Sequence, residues 1–163
     1  MRKLSAVLIV LGGMCAISAS ADTLGSRMDV TASVVANCRL VVPPLSFGVY
    51  DPLTANFAQP ADASTVISVT CTRSAGAAVS FDFGLHGGTA NRAMNGGTSE
   101  MLHYQIYRDS ARSLVWANGA DAVRVTSLGI VSPQQLTVFG RIPPQQEVAP
   151  GAYTDVLTAT VDF

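Results

Sequence analysis

The sequence predicts an all-β domain built as a sandwich of two sheets, and two observations carry this prediction. Short segments in which apolar and polar residues alternate recur along the chain, whereas no segment shows the longer period of an amphipathic helix. Clusters of glycine, proline and asparagine separate these segments. Such residues interrupt hydrogen-bonded ladders, because glycine supplies positive φ and proline removes an amide donor. Several short strands with this punctuation are typical of a β-sandwich.

The first 21 residues read as a secretory signal peptide. Arg2 and Lys3 precede an apolar run that ends at Ile17, and Ala19 and Ala21 supply a small-x-small cleavage site. The run is shorter than the roughly 20 apolar residues of a membrane-spanning helix, which disfavours an uncleaved anchor. We therefore expect an exported chain with no direct membrane insertion after signal cleavage.

The predicted strands cover residues 28–34, 64–72, 79–85, 101–109, 135–142 and 153–163. Each places apolar side chains on one face, although the alternation is weaker at residues 135–142. In the second, Ile67, Val69 and Cys71 are expected to face the core. In the third, Val79 and Leu85 are expected on the core side together with Phe81 and Phe83. The glycine-rich stretch at residues 86–97 lacks the Lys-Ser/Thr ending of a phosphate loop, and we interpret it as a flexible hairpin loop.

The cysteines predict a structural disulfide. Cleavage removes Cys15 and leaves Cys38 and Cys71 in a compartment that permits oxidation. The loop that they would close, about 34 residues long, would stabilise the fold by roughly 3 to 4 kcal/mol. No Cys-x-x-Cys motif occurs, and only His86 and His103 could join a metal site. The sequence therefore predicts no metal and no other cofactor.

The charge of the processed chain does not favour nucleic acid or anionic lipid as a partner. Removing the leader leaves eight arginines, no lysine and eleven acidic residues, for a formal net charge of −3. Charged residues are also sparse, so we expect a domain that hides part of its apolar surface against another protein.

The strand at residues 28–34 stands apart from the others because it precedes the first cysteine of the processed chain. Met28, Val30, Ala32 and Val34 would line one face, opposite Asp29, Thr31 and Ser33. A single ribbon is not stable alone. Whether its sheet belongs to this chain or to another molecule is not decided by counting strands.

Four separated motifs carry a family resemblance: "PLSFGVYDP", "VISVTCT", "YQIYRDSARSLVW" and "GAYTDVLTATVDF". In this order and spacing they resemble the spore coat protein U domain, which is also the subunit of archaic chaperone-usher pili. The similarity covers essentially the whole processed chain.

The resemblance implies an incomplete immunoglobulin-like β-sandwich that lacks its last strand and is completed by donor-strand exchange. A periplasmic pilus chaperone lends a strand to the open groove. At an outer-membrane usher, the N-terminal extension of the next identical or related subunit replaces that strand. The implied location is the periplasm and then a pilus on the cell surface, where the fibre serves adhesion and biofilm formation.

Carried over to this sequence, the resemblance implies a donor-strand extension at residues 22–35 and a pilin domain at residues 36–163. The donor side chains are Met28, Val30, Ala32 and Val34. The C-terminal strand that borders the groove carries Leu157, Ala159, Val161 and Phe163. Ala32 is smaller than the bulky residue expected there, which implies a shallow pocket or a weaker insertion.

Other functions are less well supported by the residues. A hydrolytic triad needs a positioned histidine, but His103 lies mid-strand on the wet face and His86 in a glycine loop, so we predict no catalytic residue and no enzyme. A secreted coat-layer protein or a carbohydrate-binding sandwich remains the alternative. The aromatic residues that could stack on sugars, or instead pack in the core, are Tyr50, Tyr104, Tyr107 and Trp116.

Overall fold

The computed structural model describes residues 22–97 and 99–163, and within them the chain is all-β, with a single-turn 3-10 helix at Gly119–Asp121 and no α-helix. The strands are β1 (Cys38–Val41), β2 (Ala61–Cys71), β3 (Gly76–Phe81), β4 (Arg92–Asn95), β5 (Met101–Tyr107), β6 (Val123–Thr126), β7 (Gln134–Ile142) and β8 (Ala159–Asp162). The predicted signal peptide lies outside the described residues. Across the part that is described, the structure contains no helix with the length and hydropathy to span a membrane.

Two antiparallel sheets build the domain that begins at Val34. The larger sheet has the strand order β1-β2-β7-β5-β4, and the smaller one has the order β6-β3-β8. Buried side chains from both sheets form one hydrophobic core. The predicted fold class is therefore confirmed.

The apolar residues that alternate along β2 and β5 point into the core, as the sequence pattern predicts. Ile67, Val69 and Cys71 are buried on β2, and Tyr104 and Ile106 are buried on β5. Apolar residues at every second position of a strand share one face, and that face lies on the core here.

The predicted strand at residues 79–85 is wrong at its C-terminal end, because β3 stops at Phe81. Beyond it, the Asp82 carboxylate accepts a hydrogen bond from the Gly84 amide at 3.0 Å, and Gly84 has a φ of +82°. This local bond and the left-handed residue turn the chain out of the ladder. Leu85, expected on the core side, is consequently exposed.

The prediction of a loop at residues 86–97 is also wrong in part. Residues Arg92–Asn95 form β4, which pairs with β5 at the edge of the larger sheet. The strand has only four residues and starts with a charged side chain, so it lacks an apolar alternation long enough to recognise.

Two further predicted strands pair with a neighbouring strand only in part or not at all. Within residues 153–163, only Ala159–Asp162 pairs, with β3, and an isolated bridge joins Thr154 to Asn95. No strand within the described ranges pairs with the other edge of β8. Residues 22–33 are exposed, and the predicted strand at residues 28–34 belongs to neither sheet.

The predicted disulfide between Cys38 and Cys71 is confirmed. The two residues are direct partners in the register of β1 and β2, so the bond ties an edge strand of the larger sheet to its neighbour. It closes a loop with a sequence separation of 33.

Removing this cross-link should lower the free energy of unfolding by roughly 3 to 4 kcal/mol, because the unfolded chain regains the entropy of an open loop. The variant is Cys38→Ala with Cys71→Ala, and the measurement is urea denaturation followed by the fluorescence of Trp116, the one tryptophan of the sequence. The wild-type domain under reducing conditions is the control and should unfold at the same urea concentration. A double variant as stable as the oxidised wild type would contradict the assignment.

Candidate functional site

A cleft of about 520 Å³ opens on the core between two chain segments. One wall consists of residues 42–47 and the other of residues 153–157. Apolar side chains that lie between these walls include Phe81, Ile106 and Val138. A second cleft of about 860 Å³ adjoins the first, shares Leu45 and Tyr153 with it, and reaches residues 48–53.

The first wall lies beside the sheets without joining them. Residues 42–47 follow β1 directly, and Pro43 and Pro44 remove two amide donors in succession. Gly140 on β7 makes room for this wall, because a Cβ atom there would be 2.7 Å from the Phe47 Cζ atom and 2.8 Å from the Leu45 Cδ2 atom. The weak alternation of this strand in the sequence therefore has a structural reason.

Asp155 anchors the second wall from inside. Its side chain is almost fully buried, and its carboxylate accepts hydrogen bonds from the Leu85 amide at 3.0 Å and the Tyr104 hydroxyl at 2.8 Å. The His86 Nδ1 atom lies 3.2 Å from the same carboxylate. Gly84 permits this approach, since a Cβ atom there would clash with the Asp155 carboxylate.

Arg92 ties together the elements behind the cleft. Its guanidinium is fully buried and donates to the Asp82 carbonyl, to the Trp116 carbonyl at 2.8 Å and to the Gln105 side chain. The guanidinium also lies 4.9 Å from the centre of the Phe83 ring. Burial lowers the pKa of Arg92 to about 10, so the group remains a cation at neutral pH. Sequence reasoning missed this residue, because an arginine between glycine-rich stretches carries no signal of burial.

Tyr104 and Asp82, two titratable groups near Arg92, keep their ordinary charge states at neutral pH. Burial and the hydrogen bond to Asp155 raise the pKa of the Tyr104 hydroxyl, which therefore stays protonated and donates. Burial alone would raise the pKa of Asp82, but hydrogen bonds from the Thr158 and Gly84 amides lower it. These polar groups hold the walls in place. Over residues 22–97 and 99–163, no cluster of three or more His, Cys, Asp or Glu side chains could hold a metal ion.

The four residues predicted to border the groove differ in how far they are buried. Leu157 lines the cleft, whereas Ala159 and Val161 are half-buried against the core and Phe163 is exposed. The predicted donor side chains, which are Met28, Val30, Ala32 and Val34, are all exposed. The roles of both sets remain predictions.

Two of the four aromatic rings considered for sugar stacking are buried. Trp116 packs edge-on against Phe81 at 5.2 Å between ring centres, and its indole donates to the Val79 carbonyl at 2.8 Å. Tyr104 is buried beside the cleft. Tyr50 and Tyr107 are half-buried. The first two rings therefore belong to the core and do not support a carbohydrate site.

Comparison with known proteins connects this fold to a described family. A sequence profile of the Spore Coat Protein U domain matches residues 25–160. The chain belongs to the Spore Coat Protein U domain family. A curated relative, Protein U of Myxococcus xanthus, is 32% identical over 158 aligned positions, and the match covers 89% of this chain and 88% of the relative.

A solved structure is similar to this Spore Coat Protein U domain as well. It is a chaperone-tip adhesion subunit pre-assembly complex (CsuC-CsuE) from the archaic chaperone-usher Csu pili of Acinetobacter baumannii, matched with a TM-score of 0.56 and 26% identity. The match covers 80% of this chain and 40% of the chain in that complex. The present chain thus spans less than half of that chain.

Proposed function

We propose that this chain is a structural subunit of an archaic chaperone-usher pilus and that it polymerises by donor-strand complementation. The observation that carries the proposal is the apolar cleft between residues 42–47 and 153–157, which has a proline-rich wall on one side. The other wall runs along the chain into β8, and one edge of β8 pairs with no strand of residues 22–97 and 99–163. Membership in the family and the likeness to a pilus subunit complex support the same function.

An added strand suits this cleft for two physical reasons. The edge of β8 offers main-chain groups that a strand can pair with, and an unpaired edge is a site for another chain. Most of the residues that line the cleft are apolar, which suits the apolar face of an inserted strand. In such β-augmentation the main-chain bonds provide affinity and the alternating side chains provide register. Residues 22–35 of a second copy fit this role, with Met28, Val30, Ala32 and Val34 entering the cleft.

The same cleft explains the partners that we propose. An open apolar cleft is a hazard during folding and export, so a periplasmic chaperone has to cover it until assembly. An outer-membrane usher then exchanges the chaperone for the next subunit.

We assign residues 1–21 to the signal peptide, residues 22–35 to the donor extension and residues 36–163 to the pilin domain. The finished fibre would serve adhesion and biofilm formation at the cell surface. The role is not enzymatic, since the polar groups behind the cleft are engaged in holding its walls.

A secreted coat layer is a second candidate, and the name of the matching family favours it. Donor-strand linkage would join subunits in either product. Electron microscopy of the assembled surface material distinguishes the two, because a pilus forms linear fibres and a coat forms a continuous layer.

A peptide-exchange experiment tests the proposal. A synthetic peptide of residues 24–36 is added to the subunit purified with its chaperone. We expect the peptide to displace the chaperone and to form a one-to-one complex with the subunit, because it supplies both the ladder bonds and the side chains that the cleft accepts. Native mass spectrometry measures both products. A matched peptide that carries Val30→Asp is the control and should leave the chaperone in place. Equal exchange by the two peptides would contradict the assignment of the donor.

A further inference from the structure

The loop between β6 and β7 exposes three aliphatic side chains close together in sequence. Leu128, Ile130 and Val131 are 62%, 75% and 82% exposed. The loop is nevertheless held firmly at its start, because the Ser127 hydroxyl donates to the Cys71 carbonyl at 2.9 Å. Backbone bonds of 3.0 Å join Ser127 to Ser74 and Ala75. We call residues 128–131 the apolar loop.

The apolar loop lies at the end of the domain from which the N-terminal segment departs. The Thr72 amide donates to the Asn37 carbonyl at 2.9 Å, and the Asn37 amide donates back to the Thr72 hydroxyl at 3.3 Å. Thr72 directly follows Cys71, to which the loop is bonded. The departure point of the N-terminal segment and the apolar loop are thus attached to the same end of β2.

A short tether restricts what this end can face. Three residues separate Val34 from Cys38, and a chain advances at most about 3.6 Å per residue, so the distance between these two residues cannot exceed about 14 Å. If Val34 lies in the cleft of a second copy, the body of that copy must lie directly against the end that carries the apolar loop.

The opposite end of the domain carries an exposed aliphatic surface of its own. Val49 and Leu53 are 90% and 85% exposed. Tyr50 holds this region in place, because its hydroxyl donates to the Pro143 carbonyl at 2.8 Å, just beyond the end of β7. Pro143 follows Ile142, which pairs with Ala61, the first residue of β2. The surface of Val49 and Leu53 therefore lies near the start of β2, whereas the apolar loop is attached to Cys71, its last residue.

We propose that the apolar loop of one subunit docks on the surface formed by Val49 and Leu53 of the next copy, as a second contact beside the inserted strand. The inference rests on the proposed function. The opposite end is the partner because each subunit already sends its own N-terminal segment out at the Cys38 end, and a neighbour docked there would compete for that space. A contact between opposite ends is heterologous and extends into a filament.

Labelling of single added cysteines tests this contact. The variants are Ile130→Cys and Leu53→Cys, with Val66→Cys on the outer face of β2 as the control at 47% exposure. Labelling by a maleimide is measured in filaments and in an unassembled reference. The reference is each variant combined with Val30→Asp, its cleft filled by the peptide of residues 24–36.

In the unassembled reference, both test positions should react at least as fast as Val66→Cys, because they are more exposed. In filaments, both should be labelled at least about tenfold more slowly than in the reference, because a packed contact must open before the thiol can react. The labelling rate of Val66→Cys should stay the same. Unchanged labelling of Ile130→Cys in intact filaments would overturn the docking proposal and leave the proposed function standing. A wild-type subunit that forms no filaments would overturn both.

Discussion

Replacing Val30 with aspartate should abolish polymerisation and leave chaperone binding intact. In the proposed assembly this side chain enters a cleft lined by Phe81, Ile106 and Val138, and among the residues that the structure describes no lysine, arginine or histidine lines that cleft to pair with a carboxylate. An uncompensated buried charge costs on the order of 3 to 5 kcal/mol. Each junction would weaken by roughly two to four orders of magnitude. In the proposed assembly the chaperone occupies the cleft and does not need the donor segment of the same subunit, so its complex should persist. Electron microscopy and size-exclusion chromatography measure the two outcomes.

Thr31→Asp is the matched control for this experiment. It introduces the same charge one residue later, on the opposite face of the donor strand, where the carboxylate stays in water. Its fibres should resemble those of the wild type. Normal fibres from Val30→Asp, or equal loss from both variants, would refute the proposed register.

Replacing Arg92 with methionine should cause a large loss of stability in the domain. Methionine fills much of the same space but donates no hydrogen bond, so the carbonyls of Asp82 and Trp116 lose their partner inside the protein. Each buried polar group left unpaired costs about 1 to 3 kcal/mol, and we expect a total loss on the order of 3 to 5 kcal/mol. Such a loss is a large part of the stability of a typical domain. Urea denaturation followed by Trp116 fluorescence measures it.

Two further substitutions test whether the hydrogen bonds of Arg92, and not its positive charge alone, stabilise the domain. Arg92→Lys keeps a cation but lacks the planar fork that reaches several acceptors, so its stability should fall between those of the wild type and Arg92→Met. Arg124→Met changes an exposed arginine on β6 and should alter the free energy of unfolding by less than about 0.5 kcal/mol. If Arg92→Met were as stable as Arg124→Met, the buried network would not have the structural role assigned to it.

The alternation of side chains was sufficient to predict the centre of the core. Ile67 and Val69 on β2 and Ile106 on β5 are buried as the pattern indicates. In a strand with one covered face, every second side chain points to that face and is therefore apolar. The disulfide was also predictable from the sequence, since only Cys38 and Cys71 remain once the predicted leader is set aside. Short edge strands such as β4 were not, because four residues contain too little periodicity.

By itself, the sequence determined the all-β class, the core faces of the long strands, the cysteine pair and the family resemblance. The tertiary structure alone decided that Arg92 is buried, that Asp155 bonds to Tyr104 across 51 residues, and that residues 42–47 lie against Gly140 as a wall without a ladder. The physical reason is that periodicity records which face of a segment is covered, whereas a cleft depends on which distant segments meet and which edge remains unpaired.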